Sequence, residues 1–236
     1  MDDGLTLPTA DGPMPAALAE PTGTPKGAVV VIQEAFGLTP HIVSITERLA
    51  AAGWLAVAPA LFHRQGSPVL AYEGDFAKIG PLFQELTVDT IAMDVDAALD
   101  ALADRGIPRP RTGIVGFCMG GTVSFATATR VPLGAAVTFY GGGVTQGRFG
   151  LPSLVELAPS LRVPWLGLYG DEDQGIPVAD VEALRAATAG APVDTEIVRY
   201  PGAEHGFNCD DRASFHAEAA ADAWTRTLGW FDRHLG

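Results

Sequence analysis

The sequence predicts a single domain of the α/β class, with a doubly wound, mostly parallel sheet and helices on both faces. Short apolar segments typical of buried strands alternate along the chain with longer segments of helical periodicity. The chain has 236 residues, of which 47% are hydrophobic and 18% charged, enough to bury one substantial core. The interval 141–161 is too short for a folded cap, so we expect no separate cap domain.

The N-terminal part of the chain is expected to join this one domain, which spans 1–236. Residues 4–20 resemble a hairpin that turns at Asp11-Gly12. Residues 21–27 form a linker into the first central strand. The stretch 1–26 is therefore predicted to be a hairpin followed by a linker.

The remaining elements follow from apolar periodicity and from breaking residues. Thr39 is the expected N-cap of the first helix, Pro40 its first residue, and Gly53 ends it. Glycines and prolines predict an irregular stretch before the second helix. That helix has an apolar stripe, and the aspartates opposite the stripe are interpreted as a solvated face. The predicted strands are 28–33, 54–61, 111–117, 134–140, 163–169 and 194–200, the irregular stretch is 62–86, and further helices are 88–103, 119–130, one that begins near 178, and 217–231.

The stretch Gly116-Phe117-Cys118-Met119-Gly120-Gly121 places a cysteine in a sharp turn between a strand and a helix. This is the signature of a nucleophile elbow, in which small flanking residues let strand and helix approach closely. The positive end of the helix dipole favours a thiolate over a thiol. Cys118 is therefore the predicted nucleophile; the alternative is a buried cysteine in a glycine-rich turn.

An acid and a base follow the elbow in the order typical of α/β-hydrolase sheets. The loop Gly170-Asp171-Glu172-Asp173-Gln174-Gly175-Ile176-Pro177 comes after a strand and supplies Asp173 as the predicted acid. Asp171 and Glu172 are its competitors in the loop, with a solvated turn or a helix cap as their alternative roles. His205 follows the next strand, between Glu204 and Gly206, and is the predicted base.

These motifs, together with Val30-Val31-Ile32-Gln33-Glu34-Ala35-Phe36-Gly37, resemble the dienelactone hydrolase family, a cysteine branch of the α/β-hydrolases. The resemblance runs from about Lys26 to the C-terminus. It implies a triad of Cys118, Asp173 and His205 that hydrolyses carboxylic esters or lactones through an acyl-enzyme.

The resemblance also implies roles for residues around the triad. Glu34 is expected to be an accessory carboxylate that pairs with the resting thiol, although it could instead be a capping or loop carboxylate. The backbone N–H groups of Ala35 and Met119 are expected to form the oxyanion hole. The candidate substrate-binding residues are Phe36, Arg64 and Phe207. Family members hold a substrate carboxylate with arginines, one of them shortly after the histidine, but here the first arginine after His205 is Arg212.

Composition excludes several classes of partner. The formal net charge is −13 and no basic run occurs, which argues against nucleic acid and anionic membranes. No leader-like or membrane-spanning run is apparent, so a cytoplasmic protein is expected. We expect no cofactor and no metal, a small ester or lactone as substrate, and a monomer or weak homodimer. Cys118 and Cys209 could form a disulfide bridge. The simpler alternative is that Cys209 is a peripheral free thiol.

Two other function classes remain open from the sequence. Cys118 could be a redox-sensing thiol, or the pocket could bind a ligand without turnover. Neither use requires Asp173 and His205 at their positions, so the hydrolase is the preferred reading.

Overall fold

The structure, a computed structural model, describes residues 5–74 and 76–235. It contains eight strands and seven α-helices within these ranges. The strands are β1 (Leu5–Thr9), β2 (Gly12–Ala19), β3 (Ala28–Ile32), β4 (Leu55–Pro59), β5 (Thr112–Phe117), β6 (Ala135–Phe139), β7 (Trp165–Gly170) and β8 (Thr195–Tyr200). The helices are α1 (Pro40–Ala51), α2 (Phe76–Phe83), α3 (Val88–Asp104), α4 (Met119–Arg130), α5 (Leu154–Leu157), α6 (Val178–Thr188) and α7 (Ala217–His234).

All eight strands form one sheet in the order β1-β2-β4-β3-β5-β6-β7-β8. Strands β3 to β8 pair in parallel, whereas β1 and β2 are antiparallel to each other and β2 is antiparallel to β4. Every residue of β3, β4, β5, β6 and β7 is buried, as expected for a parallel sheet covered on both faces. The predicted fold class is confirmed.

The N-terminal hairpin extends this sheet. Gly12 begins β2 with a φ of 114°, which a residue with a Cβ rarely adopts, and the hairpin turns at Ala10-Asp11. Met14 and Leu7 are buried, so the hairpin contributes to the same core as the central strands. Residue 4, the predicted start of the hairpin, lies outside the described residues.

The helices form two layers. Helix α1 lies beside α7, where the Arg48 guanidinium is 4.0 Å from the centroid of the Trp224 ring, while α3, α4, α5 and α6 follow one another along the other face. The cap of α1 is as predicted, since the Thr39 side chain accepts a hydrogen bond from the Ile42 N–H and Pro40 is its first residue. None of the described helices is long and apolar enough to cross a membrane.

Two predictions about the segment after β4 are wrong. The stretch 62–86 is not irregular throughout, because α2 forms in it despite Gly80 and Pro81, with Leu82 buried. The aspartates of α3 do not all face solvent, since Asp94 is buried and bonds Arg64 and His63. A buried carboxylate is tolerated here because both of its oxygens are paired.

Candidate active site

Cys118 lies between β5 and α4 in the strained backbone expected of an elbow. Its φ is 55° and its ψ is −114°. A Cβ at Gly116 would collide with the Gly120 carbonyl, and a Cβ at Gly120 would collide with the carbonyl of Ile32. The Cys118 N–H donates to the Phe139 carbonyl at 3.1 Å, which ties the turn to the neighbouring strand β6. The close approach of β5, α4 and β3 therefore requires glycine at both positions.

Asp173 lies in the loop after β7, and both of its carboxylate oxygens are hydrogen-bonded. Oδ1 accepts from the N–H groups of Gly175 at 2.9 Å and Ile176 at 3.1 Å. Oδ2 is 2.6 Å from Nδ1 of His205. Of the competing acids, Asp171 pairs instead with Arg199 Nε at 2.7 Å. Glu172, the other competitor, is exposed.

His205 lies in the loop after β8, between Asp173 and Cys118. Its imidazole lies near enough to Cys118 to lower the pKa of the thiol through its charge and a side-chain hydrogen bond, and its ring centroid is 5.0 Å from that of Tyr140. A Cβ at Gly170, the last residue of β7, would collide with the Ala203 carbonyl, so this glycine lets the histidine loop approach the aspartate loop. The loops that follow β5, β7 and β8 thus bring Cys118, Asp173 and His205 together.

The electrostatics of the site favour a charged sulfur and a charged imidazole. Burial raises the pKa of Cys118, but the positive charge of His205 and the hydrogen bond with it, helped by the charge of Arg148, outweigh this and lower the pKa below its ordinary value. Burial lowers the pKa of His205, whereas the charge of Cys118 and the bond with Asp173 raise it to about 10. Together these shifts favour a thiolate–imidazolium pair near neutral pH.

Glu34 lies after β3 in a fully buried position. Its Oε1 is 3.4 Å from Nη1 of Arg212, and its Oε2 has no hydrogen-bond partner among the described residues. Gln33 holds this loop in place, because its Nε2 donates to the Glu34 carbonyl and its Oε1 accepts from the Leu61 N–H. The negative charge of Glu34 acts on Cys118 by raising the thiol pKa. The ion-pair partner of Glu34 is therefore Arg212.

The two predicted oxyanion-hole donors have no hydrogen-bond acceptor within residues 5–74 and 76–235. Met119 is the first residue of α4, so its N–H has no partner within the helix. Ala35 follows Glu34 in the loop after β3. Neither N–H donates to another group of the described residues. Both predicted oxyanion-hole donors are thus free to bind an oxygen.

Two of the candidate substrate-binding residues, Arg64 and Phe207, are engaged by other parts of the protein. Arg64 is held by Asp94, through contacts of 2.8 and 2.9 Å, and by Asp11 at 2.7 Å. It joins α3 to the hairpin turn and has no donor directed at the thiol. Phe207 is fully buried and packs against Phe139, Tyr140 and Tyr200.

Phe36 and Tyr72 form an aromatic wall beside Glu34. Their ring centroids are 4.7 Å apart, and the Tyr72 hydroxyl is 2.9 Å from Oγ1 of Thr39. The guanidinium of Arg212 lies 5.7 Å from each ring. Tyr72 thus contacts two segments that are distant in the sequence, at Phe36 to Thr39 and at Arg212.

Three further residues were missed or set aside by sequence reasoning. Tyr140 has a φ of 37°, a ring next to His205 and a buried hydroxyl without a hydrogen-bond partner among the described residues. Arg212 was set aside because it comes seven positions after His205, yet the loop folds back on Glu34. Arg148 lies after β6, and no motif indicated it. The available signal was that all three follow the carboxyl end of a parallel strand, β6 for Tyr140 and Arg148 and β8 for Arg212.

Cys209 is not bridged to Cys118, and both cysteines are free. It is fully buried rather than peripheral. Potential ligand atoms of His41, Cys209 and Asp210 lie within 4.8 Å of one another. Burial raises the pKa of Cys209 to about 11, which disfavours the thiolate that a metal requires, so we assign no metal to this group.

Comparisons with known proteins identify the family of this chain. Residues 14–235 match the family model described as "Dienelactone hydrolase family". Proteins named "Putative carboxymethylenebutenolidase" from Yersinia pestis and Escherichia coli K12 are each 39% identical, over 97% and 98% of this chain and 87% and 86% of their own lengths. The crystal structure titled "Putative Dienelactone Hydrolase" from Klebsiella pneumoniae is 38% identical, covers 98% of this chain and 97% of its own, and superposes with a TM-score of 0.88.

Proposed function

Since this chain belongs to the dienelactone hydrolase family and is therefore a hydrolase, we propose that it is a cysteine-dependent hydrolase of carboxylic esters or lactones, of the carboxymethylenebutenolidase type. The observation that carries the proposal is the grouping of three side chains at strand ends. Nδ1 of His205 is 2.6 Å from Oδ2 of Asp173, and the same imidazole lowers the pKa of the Cys118 thiol. A structural cysteine would need neither contact.

In the proposed first half-reaction, the thiolate of Cys118 attacks the carbonyl carbon of the ester or lactone. The resulting tetrahedral oxyanion accepts hydrogen bonds from the N–H groups of Ala35 and Met119. When the bond from carbon to the ester oxygen breaks, the His205 imidazolium gives its proton to that oxygen. A thioester on Cys118 remains, and the leaving alcohol is free or, for a lactone, still part of the acyl group.

In the second half-reaction, neutral His205 takes a proton from water as the water oxygen attacks the thioester. Collapse of the second tetrahedral intermediate releases the carboxylic acid and restores the thiolate beside the imidazolium. Asp173 keeps the imidazole in the tautomer that presents Nε2 to the sulfur and water, because Nδ1 is engaged with its carboxylate. Each step balances without a cofactor.

We further propose that Glu34 restrains the resting thiol through its charge rather than by bonding it. Its pairing with Arg212 and its unpaired Oε2 support a carboxylate that can change partners when a substrate enters. Such a change would relieve the charge that raises the pKa of Cys118.

The test is a panel of small activated esters and lactones assayed with wild type and Cys118→Ala. We expect the variant to lose hydrolysis and to keep its fold, because alanine is smaller than cysteine and the elbow depends on the glycines instead. Trapping an acyl group on the wild type by mass spectrometry, and none on the variant, would support the intermediate. Activity of the variant close to that of wild type would overturn the mechanism.

A further inference from the structure

A cavity of about 400 Å³ lies at the end of the sheet opposite the nucleophile, and we call it the amino-end cavity. Its apolar lining includes Leu55, the first residue of β4, and Ile107, and both side chains are buried. The linker after β2 and the turn after α3 complete the lining. Since Cys118 follows the carboxyl end of β5, whereas this cavity adjoins the amino ends of β4 and β5, it is separate from the proposed active site.

The side chains of Arg105 and Arg111 line the amino-end cavity. Nη1 of Arg105 donates to the Ala101 carbonyl at 3.0 Å, and Nη2 of Arg111 donates to the Lys26 carbonyl at 2.6 Å. Neither guanidinium forms an ion pair with a carboxylate of residues 5–74 or 76–235. A guanidinium has five N–H donors, so each arginine is anchored by one bond and keeps other donors for a ligand.

The charge of this cavity differs in sign from that of the chain. Acidic side chains outnumber lysines and arginines by 28 to 15 in the sequence. In the amino-end cavity, however, two guanidiniums face one carboxylate, that of the exposed Glu20, which leaves one net positive charge. The carbonyl groups at the C-terminus of α3 oppose an anion, but Arg105 is bonded to one of them, that of Ala101. A local excess of arginine thus persists in an acidic protein.

Other cavities of the described chain have no such excess. Arg148 shares its cavity with Asp180, and Arg48 shares another with Asp210, so each guanidinium is matched by one carboxylate. The cavity beside His205 contains more carboxylates than guanidiniums. An anion that the rest of the surface repels is therefore attracted to the amino-end cavity.

We propose that the amino-end cavity binds a small organic oxyanion with an apolar body, such as an aryl carboxylate, phosphonate or phosphate. The two guanidiniums hold the charged oxygens through paired hydrogen bonds, and Thr24, in the same lining, can add a hydroxyl donor. Leu55 and Ile107 contact the hydrocarbon part of the ligand. Cys118 takes no part in this binding, so the proposal is independent of the proposed function.

The first test titrates wild type with phenylphosphonate, an oxyanion that has an apolar ring and no ester bond, by isothermal titration calorimetry. We expect saturable binding of one equivalent that weakens as salt is added. Benzamide, which has the ring without the charge, should bind at least about tenfold more weakly. Arg105→Gln and Arg111→Gln should each raise Kd for phenylphosphonate by about tenfold, as expected for the loss of a hydrogen bond between charged groups.

The matched control is Arg109→Gln, which removes the same charge from a neighbouring position outside the cavity, where Arg109 pairs with Asp100 at 3.0 Å. Its Kd should stay within about twofold of wild type. The absence of saturable binding to wild type, or an equal rise of Kd in Arg109→Gln, would overturn the proposal. If Arg111→Gln does not fold because its bond to Lys26 is lost, Arg105→Gln decides, since Arg105 is exposed and bonds only its own helix.

The second test locates the bound probe. Saturating phenylphosphonate should leave the rate of Cys118 alkylation by iodoacetamide unchanged, and Cys118→Ala should bind the probe with the Kd of wild type. Protection of Cys118 by the probe would place it in the active site and overturn the proposal. Should wild type hydrolyse no ester or lactone, the proposed function would fail, while the titration would still decide whether the amino-end cavity binds anions.

Discussion

Two buried carboxylates beside the same nucleophile differ in how completely they are hydrogen-bonded. Asp173 has both oxygens engaged, by two backbone N–H groups and by His205. Glu34 has one contact of 3.4 Å with Arg212, and its other oxygen has no partner among the described residues. The Asp173 carboxylate is thus held through both of its oxygens, whereas the Glu34 carboxylate has one oxygen that could take another partner.

The two carboxylates therefore suit different roles, since one can hold a side chain in position and the other can change its partner. A carboxylate that orients a catalytic histidine must not move, because a small displacement changes the imidazole tautomer or its aim. A carboxylate that restrains a resting thiol must be able to release it. Tyr140, on which the charge of Glu34 acts, shares this incomplete bonding, since its hydroxyl is also buried without a partner among the described residues.

The largest expected effect concerns Asp173, the carboxylate with both oxygens hydrogen-bonded. Replacing Asp173 with Asn should lower kcat by about 10³-fold or more, because the amide can donate to Nδ1 and thereby favour the wrong tautomer of His205. Asp171→Asn is the matched control. Its partner Arg199 lies partly exposed, so kcat should change by less than about threefold. Steady-state kinetics on one activated ester measure both; equal losses would mean that Asp173 is not the orienting acid.

A second prediction concerns Asp94, a buried carboxylate that lies outside the proposed triad. Both of its oxygens are paired, as those of Asp173 are. Arg64→Met should lower the free energy of unfolding by about 3 kcal/mol, since it leaves Asp94 buried with His63 as its remaining partner. KM should stay within about twofold, because Arg64 is committed to structure.

Denaturant titration and substrate kinetics together measure this outcome. Arg109→Met is the control, since its pair with Asp100 is solvent-exposed and should contribute less than about 1 kcal/mol. A stable Arg64→Met protein with a large rise in KM would return Arg64 to the substrate site.

The comparison also explains which residues could be predicted from the sequence. Cys118, Asp173 and His205 each follow a strand within a local pattern of glycines, so a window of a few residues indicates their position. Arg212 and Glu34 are 178 positions apart, and Arg64 and Asp94 are 30 apart. Their pairing depends on how whole loops pack, which no local pattern records. The helix α2 was missed because Gly80 and Pro81 argued against it, whereas the burial of Leu82 is a tertiary contact.

The third prediction uses the pH dependence of alkylation to test whether His205 lowers the pKa of the Cys118 thiol. The rate of alkylation by iodoacetamide should rise with a midpoint below that of an ordinary thiol, because the pKa of Cys118 is lowered by His205. In His205→Asn the cation is lost while burial and the charge of Glu34 remain, and both raise the thiol pKa. The midpoint should therefore move upward by about one unit or more.

Cys118→Ala supplies the background rate in this experiment, since Cys209 is fully buried. Hydrolysis by wild type should also decline above about pH 10, where His205 loses the proton that it gives to the leaving oxygen. A midpoint that is the same in wild type and His205→Asn would separate the histidine from the thiol and contradict the proposed triad.

The smallest expected effect concerns Glu34, the carboxylate with one unpaired oxygen. Glu34→Gln removes the negative charge that raises the pKa of Cys118, so alkylation by iodoacetamide below the wild-type midpoint should be faster, by about twofold to fivefold. Hydrolysis should nevertheless be slower, because the change of partner that accompanies substrate binding is lost. Glu218→Gln, an exposed position in the first turn of α7, makes the same change in charge and should alter neither rate. Faster alkylation with unchanged hydrolysis would leave Glu34 as an electrostatic neighbour without a part in turnover, and identical alkylation profiles would remove it from the site.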